Sequence, residues 1–463
     1  MKSSRSLIVL IAVACTAVAV IIHEANIENL NSAGVQDPVL ISTADEAGYL
    51  RPAQNFLSGE GWHDSSEGFS SYVQRPPGYG ILYLISKLIY SSNPLLILKG
   101  FQITCFFLSI LLFYSLMIRL DVKKPFSISF TLLYGLLPCY NGFMYYTLTE
   151  SISPFMLILL THEFVSILKN QRNPSVFIAA AAFLLVLRPQ LTVFPILYIL
   201  VIYLHEKRIK WIYIIGFLPF VLWQIRTITI TGEINLHPIY SETNKSIFRP
   251  THRSLTNLFR VWEFKSDRFH ETVGLLVSDT TTLAIRKAAK NIPMEFRTEV
   301  LPLLKEYQRI AYERRKSFEE PVLPKNEDYE VAFIHKTDLL TQKLKQEHFI
   351  RAYLITPAYS AYQFLNKSYL NLWVYQKKWR GTLIIEVLRW ICFLIINISF
   401  LATFLVLSLG KFARHLRIIA LGVALTFFYM IFFQRLNEER YLVPLLPLML
   451  LMIPVFVSSC MKK

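Results

Sequence analysis

The stretch TADEAGYLRPAQNFLSGEGWHDSSEGFSSYVQRPPGYG, Thr43 to Gly80, follows the first long apolar run of the chain. It opens on two adjacent carboxylates, Asp45 and Glu46, and closes on an arginine before a double proline, Arg75-Pro76-Pro77. Around it lies a chain of 463 residues that is 53% hydrophobic and only 17% charged. A soluble chain of this length carries more charge, and several apolar runs here reach the ~20 helical residues that cross a hydrocarbon core. The class is an all-α polytopic membrane protein. Ionisable groups at the edge of a membrane are costly unless they face a cavity or one another, so this stretch needs a reason.

The formal net charge of +16 does not call for nucleic acid. Basic residues of membrane proteins gather in cytoplasmic loops and beside anionic headgroups, and no nucleic-acid motif argues otherwise. Cys15, Cys105, Cys139, Cys392 and Cys460 all fall in or at the ends of apolar runs without C-x-x-C spacing. They read as small hydrophobes.

Lys and Arg between spans orient the chain. Lys2 and Arg5 place the N-terminus in the cytoplasm, before an uncleaved first span over Ser6 to Ile22. The first loop, 23–94, then lies outside, and Gly78 to Tyr90 reads as a juxtamembrane helix. Further spans are expected over 95–118, 126–140, 151–168, 176–187, 191–204, 211–230, 383–409, 418–433 and 441–459. That makes ten spans with both termini inside. The chain divides into an N-terminal membrane module (1–230), a mostly helical extracytoplasmic insert (231–382) and C-terminal membrane helices (383–463).

On this threading the ionisable residues near span ends gather on one face: Asp45-Glu46, Arg75, Thr149-Glu150 and Glu438-Glu439-Arg440-Tyr441, with Arg188-Pro189 as a fifth position. Each also has a local reading. Asp45 and Glu46 precede an apolar stripe of Tyr49, Ala53, Phe56 and Leu57, where they would serve as a cap and a first-turn acid. Arg75 could snorkel, Glu150 could cap the next helix, and Glu438 to Arg440 could be a solvated turn. The shared face favours function over four separate local roles. Such a set suits glycosyl transfer from a lipid carrier: arginine binds the carrier phosphate in bidentate fashion and offsets the leaving group's charge. One carboxylate takes the proton of an acceptor hydroxyl, and a second could hold a divalent metal.

DEAGYLRPAQNFLSG (45–59) followed by RPPGY (75–79) resembles the first extracytoplasmic loop of GT-C fold glycosyltransferases. The similar members are the bacterial aminoarabinose transferases of lipid A and the protein O-mannosyltransferases, whose loop reads approximately DE-x-x-Y and then K-P-P-L. TLTESISPFMLILL (147–160) is similar to their second acidic position at a span start, and EERYLVPLLPLMLL (438–451) to a C-terminal feature of that superfamily. The resemblance implies a GT-C-like bundle with juxtamembrane helices in its first loop, acting on a polyprenyl-phosphate-linked sugar donor. The acceptor would be a glycan, lipid or protein, reached on the extracytoplasmic face, most readily of a bacterial inner membrane.

Carried over by position, the resemblance implies Asp45 as base, with Glu46 beside it, and Arg75 on the donor phosphate. Arg435 and Arg440 are further phosphate candidates, and Tyr49, Tyr79, Arg188 and Glu438 substrate-side candidates. Glu150 stands where relatives often have Asp, as a candidate metal ligand, which makes Mg or Mn the candidate cofactor. Arginine in place of lysine and Glu in place of Asp are departures that put the metal in question. The rival classes are a transporter or flippase of a lipid-linked saccharide, which predicts charged or broken mid-span segments, and a glycan polymerase or ligase.

Overall fold

The computed structural model describes residues 2–31, 39–43, 45–66, 69–71, 75–169, 174–207, 211–231, 250–278, 281–316, 328–370, 381–410, 412–435 and 438–461. Helices dominate. A two-stranded antiparallel hairpin in the first loop, Asp64–Ser66 against Phe69–Ser71, departs from the all-α expectation.

Among the described residues six helices are long and apolar enough to cross a membrane: Ser6–Glu28, Pro94–Arg119, Pro189–Glu206, Leu383–Ser408, Arg414–Gln434 and Arg440–Cys460. The protein is thus a helical membrane protein. The other four expected spans coincide with shorter helices, Lys124–Leu136, Ser153–Leu168, Ser175–Leu187 and Leu218–Thr231. At 1.5 Å per residue each falls short of a hydrocarbon core of about 30 Å on its own. The juxtamembrane expectation matches the helix Gly78–Ile89.

Ser153–Leu168 runs through the middle of the bundle, packed against Pro94–Arg119, Ser175–Leu187, Val193–Glu206 and Leu446–Cys460. Its neighbours leave almost none of it exposed, down to His162 and Glu163. Outward-facing positions such as Ile21, Leu222 and Leu394 are bare and apolar, as lipid contact requires. Between the two groups of membrane helices, Pro250–Phe259, Ser266–Ser278, Thr282–Ala289, Met294–Lys316 and Asp328–Glu347 pack round a core of their own. Phe259, Phe296, Leu304 and Phe333 are at its centre. These helices are amphipathic, which is how a polar insert can fold beside a membrane.

Close backbone contacts fix one end of the bundle. A Cβ on Gly78 would come within 2.7 Å of the backbone of Val186 and Leu187, and one on Gly80 within 2.9 Å of the Tyr49 carbonyl. Glycine at these two positions lets the Gly78–Ile89 helix touch both the first-loop helix, Glu46–Leu57, and the chain leading into Arg188.

Candidate active site

Five charged residues meet where helices begin. Asp45 directly precedes Glu46–Leu57, Arg75 stands three residues before Gly78–Ile89, and Glu150 lies in the 3-10 turn Thr149–Ser151 that leads into Ser153–Leu168. Arg188 precedes the 3-10 turn Pro189–Leu191, and Arg440 lies in the 3-10 segment Glu439–Leu445. Helix N-termini carry partial positive charge, so their convergence favours an anion.

The five form one chain of alternating charge. Arg75 donates from Nη2 to Asp45 Oδ1 at 2.5 Å, and Arg440 donates to Asp45 Oδ2. Arg440 Nε stands 2.6 Å from Glu438 Oε2 and 3.8 Å from Glu150 Oε1. Glu150 Oε1 lies 3.1 Å from Arg188 Nη1, both side chains being 3% exposed. Arg188 Nη1 also donates to Thr149 Oγ1 at 3.3 Å. Asp45 makes no cap hydrogen bond, so the helix-cap reading of that residue does not apply.

Burial alone would raise the Asp45 carboxyl, but the charges of Arg75 and Arg440 outweigh it and hold the group below its usual range. Glu150 behaves alike: burial pushes it up, Arg188 and Arg440 pull it further down. Glu438 differs, because burial and the neighbouring Asp45 and Glu150 prevail over Arg440 and raise it. On the other side, Arg188 Nε and Nη2 are buried donors that make no hydrogen bond among the described residues. Unsatisfied buried guanidinium donors are expensive, and an acceptor-rich anion is what would satisfy them.

The remaining sequence candidates take other places. Glu46 accepts from Thr147 Oγ1, while Thr147 N donates to the Ile41 carbonyl at 3.2 Å and Ile41 N to the Tyr145 carbonyl at 2.8 Å, so Glu46 helps tie the first loop to the 145–147 segment. Tyr49 lies beneath Arg75, the guanidinium 4.9 Å from its ring centre, and accepts from Arg75 Nη1 at 3.4 Å. Tyr79, the other tyrosine of the substrate-side expectation, has no exposed surface: Gln102 donates to its hydroxyl at 2.7 Å and to Ser151 Oγ at 2.9 Å, a buried network under the cluster. Arg435 makes no ion pair with Asp45 or Glu150 among the described residues; its Nη1 donates to the Arg260 carbonyl at 2.6 Å. The side chain of Glu439 lies outside the described residues.

Sequence reasoning passed over His270 and Asp267 on the Ser266–Ser278 helix. The charge of Asp45 acts on His270 and that of Asp267 on Glu438, which sets this helix beside the cluster. A single histidine on an amphipathic helix gives no signal that could have found it.

A divalent cation does not fit these donors. Glu150 already faces Arg188 and Arg440, Asp45 faces Arg75 and Arg440, and among the described residues no three His, Cys, Asp or Glu side chains come together. Three guanidiniums in the same space repel such an ion.

Fold and site together define a polytopic helical membrane protein with a partly buried, charge-alternating cluster at one end of its bundle. The chain matches no protein-family model and no curated protein sequence. Among solved structures it is similar to the apo form of the Archaeoglobus fulgidus oligosaccharyltransferase, at 14% identity and a TM-score of 0.41. The match covers 96% of this chain and 50% of that one, so the chain spans about half the length of the structure it matches. A likeness that distant assigns no activity.

Proposed function

We propose that the chain is a membrane glycosyltransferase that moves a sugar from a polyprenyl-phosphate donor to an acceptor hydroxyl on the extracytoplasmic face. What carries this reading is Asp45 held between Arg75 and Arg440, with the unsatisfied donors of Arg188 two ion pairs beyond Arg440, through Glu150. A phosphate at headgroup level needs several guanidinium donors around it, and an acceptor hydroxyl needs a carboxylate beside the anomeric carbon.

In the reaction, the acceptor oxygen forms its bond to the anomeric carbon as the bond from that carbon to the phosphate oxygen breaks. The electron pair leaves with the polyprenyl phosphate, whose added charge falls to Arg75, Arg440 and Arg188. The acceptor's proton passes to Asp45. A single displacement of this kind inverts the configuration. Asp45 is a weak base while two arginines hold it; a phosphate competing for them loosens that hold and makes the carboxylate more basic. Glu150 and Glu438 keep Arg440 aimed at the same space. No step needs a metal, and the acceptor is a glycan, a lipid or a protein, with the Asp267–His270 side of the insert beside it.

The experiment is to incubate the purified protein with a panel of polyprenyl-phosphate sugars and follow binding and release of polyprenyl phosphate. Consumption of at least one donor is expected. Failure of the whole panel to bind or react, with the protein folded in lipid, removes the reading.

A further inference from the structure

A second set of cations lies away from Asp45. Arg260, at the end of the Pro250–Phe259 helix, donates to the Gln434 carbonyl at 2.5 Å, and Arg435 Nη1 returns a bond to the Arg260 carbonyl at 2.6 Å. Arg435 takes φ 31°, a left-handed value that non-glycine residues rarely adopt, directly after the π-turn Tyr429–Gln434. Lys345 lies on the Asp328–Glu347 helix, which packs on Pro250–Phe259, and the charges of Arg435 and Arg260 act on it. Burial and Arg260 bring Arg435 down to about 10, with Tyr353 acting in the other direction. Burial and both arginines lower Lys345, against only Asp338 on its own helix. No carboxylate pairs with Arg435 or Lys345 among the described residues.

The surroundings are apolar and bare. Ile350 is 62% exposed, Leu354 59% and Phe433 73%, with Tyr353 between the first two. Phe433 closes the membrane helix Arg414–Gln434. The adjoining helix Thr356–Leu365 packs on Tyr429–Gln434 and on Leu383–Ser408, and shows Tyr359 and Tyr362 outward. Tyrosines with apolar neighbours at the end of a membrane span mark the headgroup layer.

We propose that Arg435 and Lys345, with Arg260 beside them, bind the phosphate of an anionic membrane lipid whose chains lie against Ile350, Leu354 and Phe433, docking the insert on the bilayer. The phosphate supplies the negative charge that Arg435 and Lys345 lack among the described residues, and the exposed apolar residues supply the place for its tails. The site is separate from the Asp45 cluster and does not depend on the transferase reading.

The test titrates the purified protein in detergent with short-chain phosphatidylglycerol, phosphatidylcholine of equal chain length, and free glycerol phosphate, following thermal unfolding. Phosphatidylglycerol should raise the unfolding temperature and the other two should not. Lys345→Gln should weaken the apparent affinity about fivefold, as should Arg435→Gln. Leu354→Ser should also weaken it, which keeps the test decisive if Arg435→Gln does not fold. Equal shifts with phosphatidylcholine, or an equal shift with glycerol phosphate, would overturn a lipid site. So would a phosphatidylglycerol effect that survives Lys345→Gln and vanishes in Arg75→Gln, because the headgroup would then belong to the other cluster.

Discussion

Asp45 joins two arginines that the sequence separates widely: Arg75, 30 residues on, binds one carboxylate oxygen at 2.5 Å, and Arg440, 395 residues on, binds the other. One carboxylate thereby fastens the first loop to the start of the last membrane helix. Lysine would not replace Arg440 without loss, because the planar guanidinium reaches Asp45 through Nη2 and faces Glu438 and Glu150 through Nε, a fixed fork that the compact ammonium lacks. Through Arg440 the same link reaches Glu150 and then Arg188.

Gly78 is the first test of how that link is built. Gly78→Ala puts a methyl group 2.7 Å from backbone atoms of Val186 and Leu187, which cannot move aside as a side chain could. The expected cost is about 1–3 kcal/mol of stability. Donor turnover should fall with it, because the contact sets Arg75 relative to Arg188. Thermal unfolding in detergent reads the first effect, and wild-type unfolding in this variant would contradict the packing described.

The pair Glu150–Arg188 should behave as a buried ion pair, both side chains being 3% exposed. Arg188→Met alone leaves Glu150 charged in a dry site, with an expected loss of about 3–5 kcal/mol. Adding Glu150→Gln should recover part of that stability while activity stays lost. A double variant less stable than the single one would show that the two side chains are not coupled.

Acidification tests the electrostatics of Asp45. Its carboxyl is held below the ordinary aspartate value of about 3.9, so the pairing stabilises the fold fully above that value. The contribution is lost as pH falls through the lower folded value. Removing Arg75 removes one of the charges that depress it. The acid limb of donor turnover in Arg75→Gln should therefore move to higher pH than in the wild type. An unmoved limb in a folded variant would separate Asp45 from the titration.

Some of this could be read from the residues and some could not. The first loop declared itself, because two acids begin a helical stripe and Arg-Pro-Pro ends the loop beside a membrane. Helix positions followed from apolar runs, although four of the runs are only 13 to 16 residues long as helices. Arg188 was harder: an Arg-Pro dipeptide is common, and its pairing with Glu150 depends on Ser175–Leu187 packing against Ser153–Leu168, which no local pattern encodes. Arg435 and Arg440 look alike in QRLNEER, yet the π-turn and the left-handed backbone at Arg435 send one to the insert and leave the other with Asp45. Tyr79 sits in the RPPGY motif as if on display, and is buried because Gly78 and Gly80 draw its helix into the bundle.

The most direct test of the central claim is sugar transfer by Asp45→Asn, assayed with a polyprenyl-phosphate donor that the wild type consumes. Asparagine keeps the shape and the hydrogen-bonding oxygen but cannot accept the acceptor's proton. Transfer should fall by about 10²–10⁴-fold while the protein still inserts, folds and binds donor, its unfolding temperature lowered only by the lost charge pairing with Arg75 and Arg440. Wild-type turnover by Asp45→Asn would contradict the account.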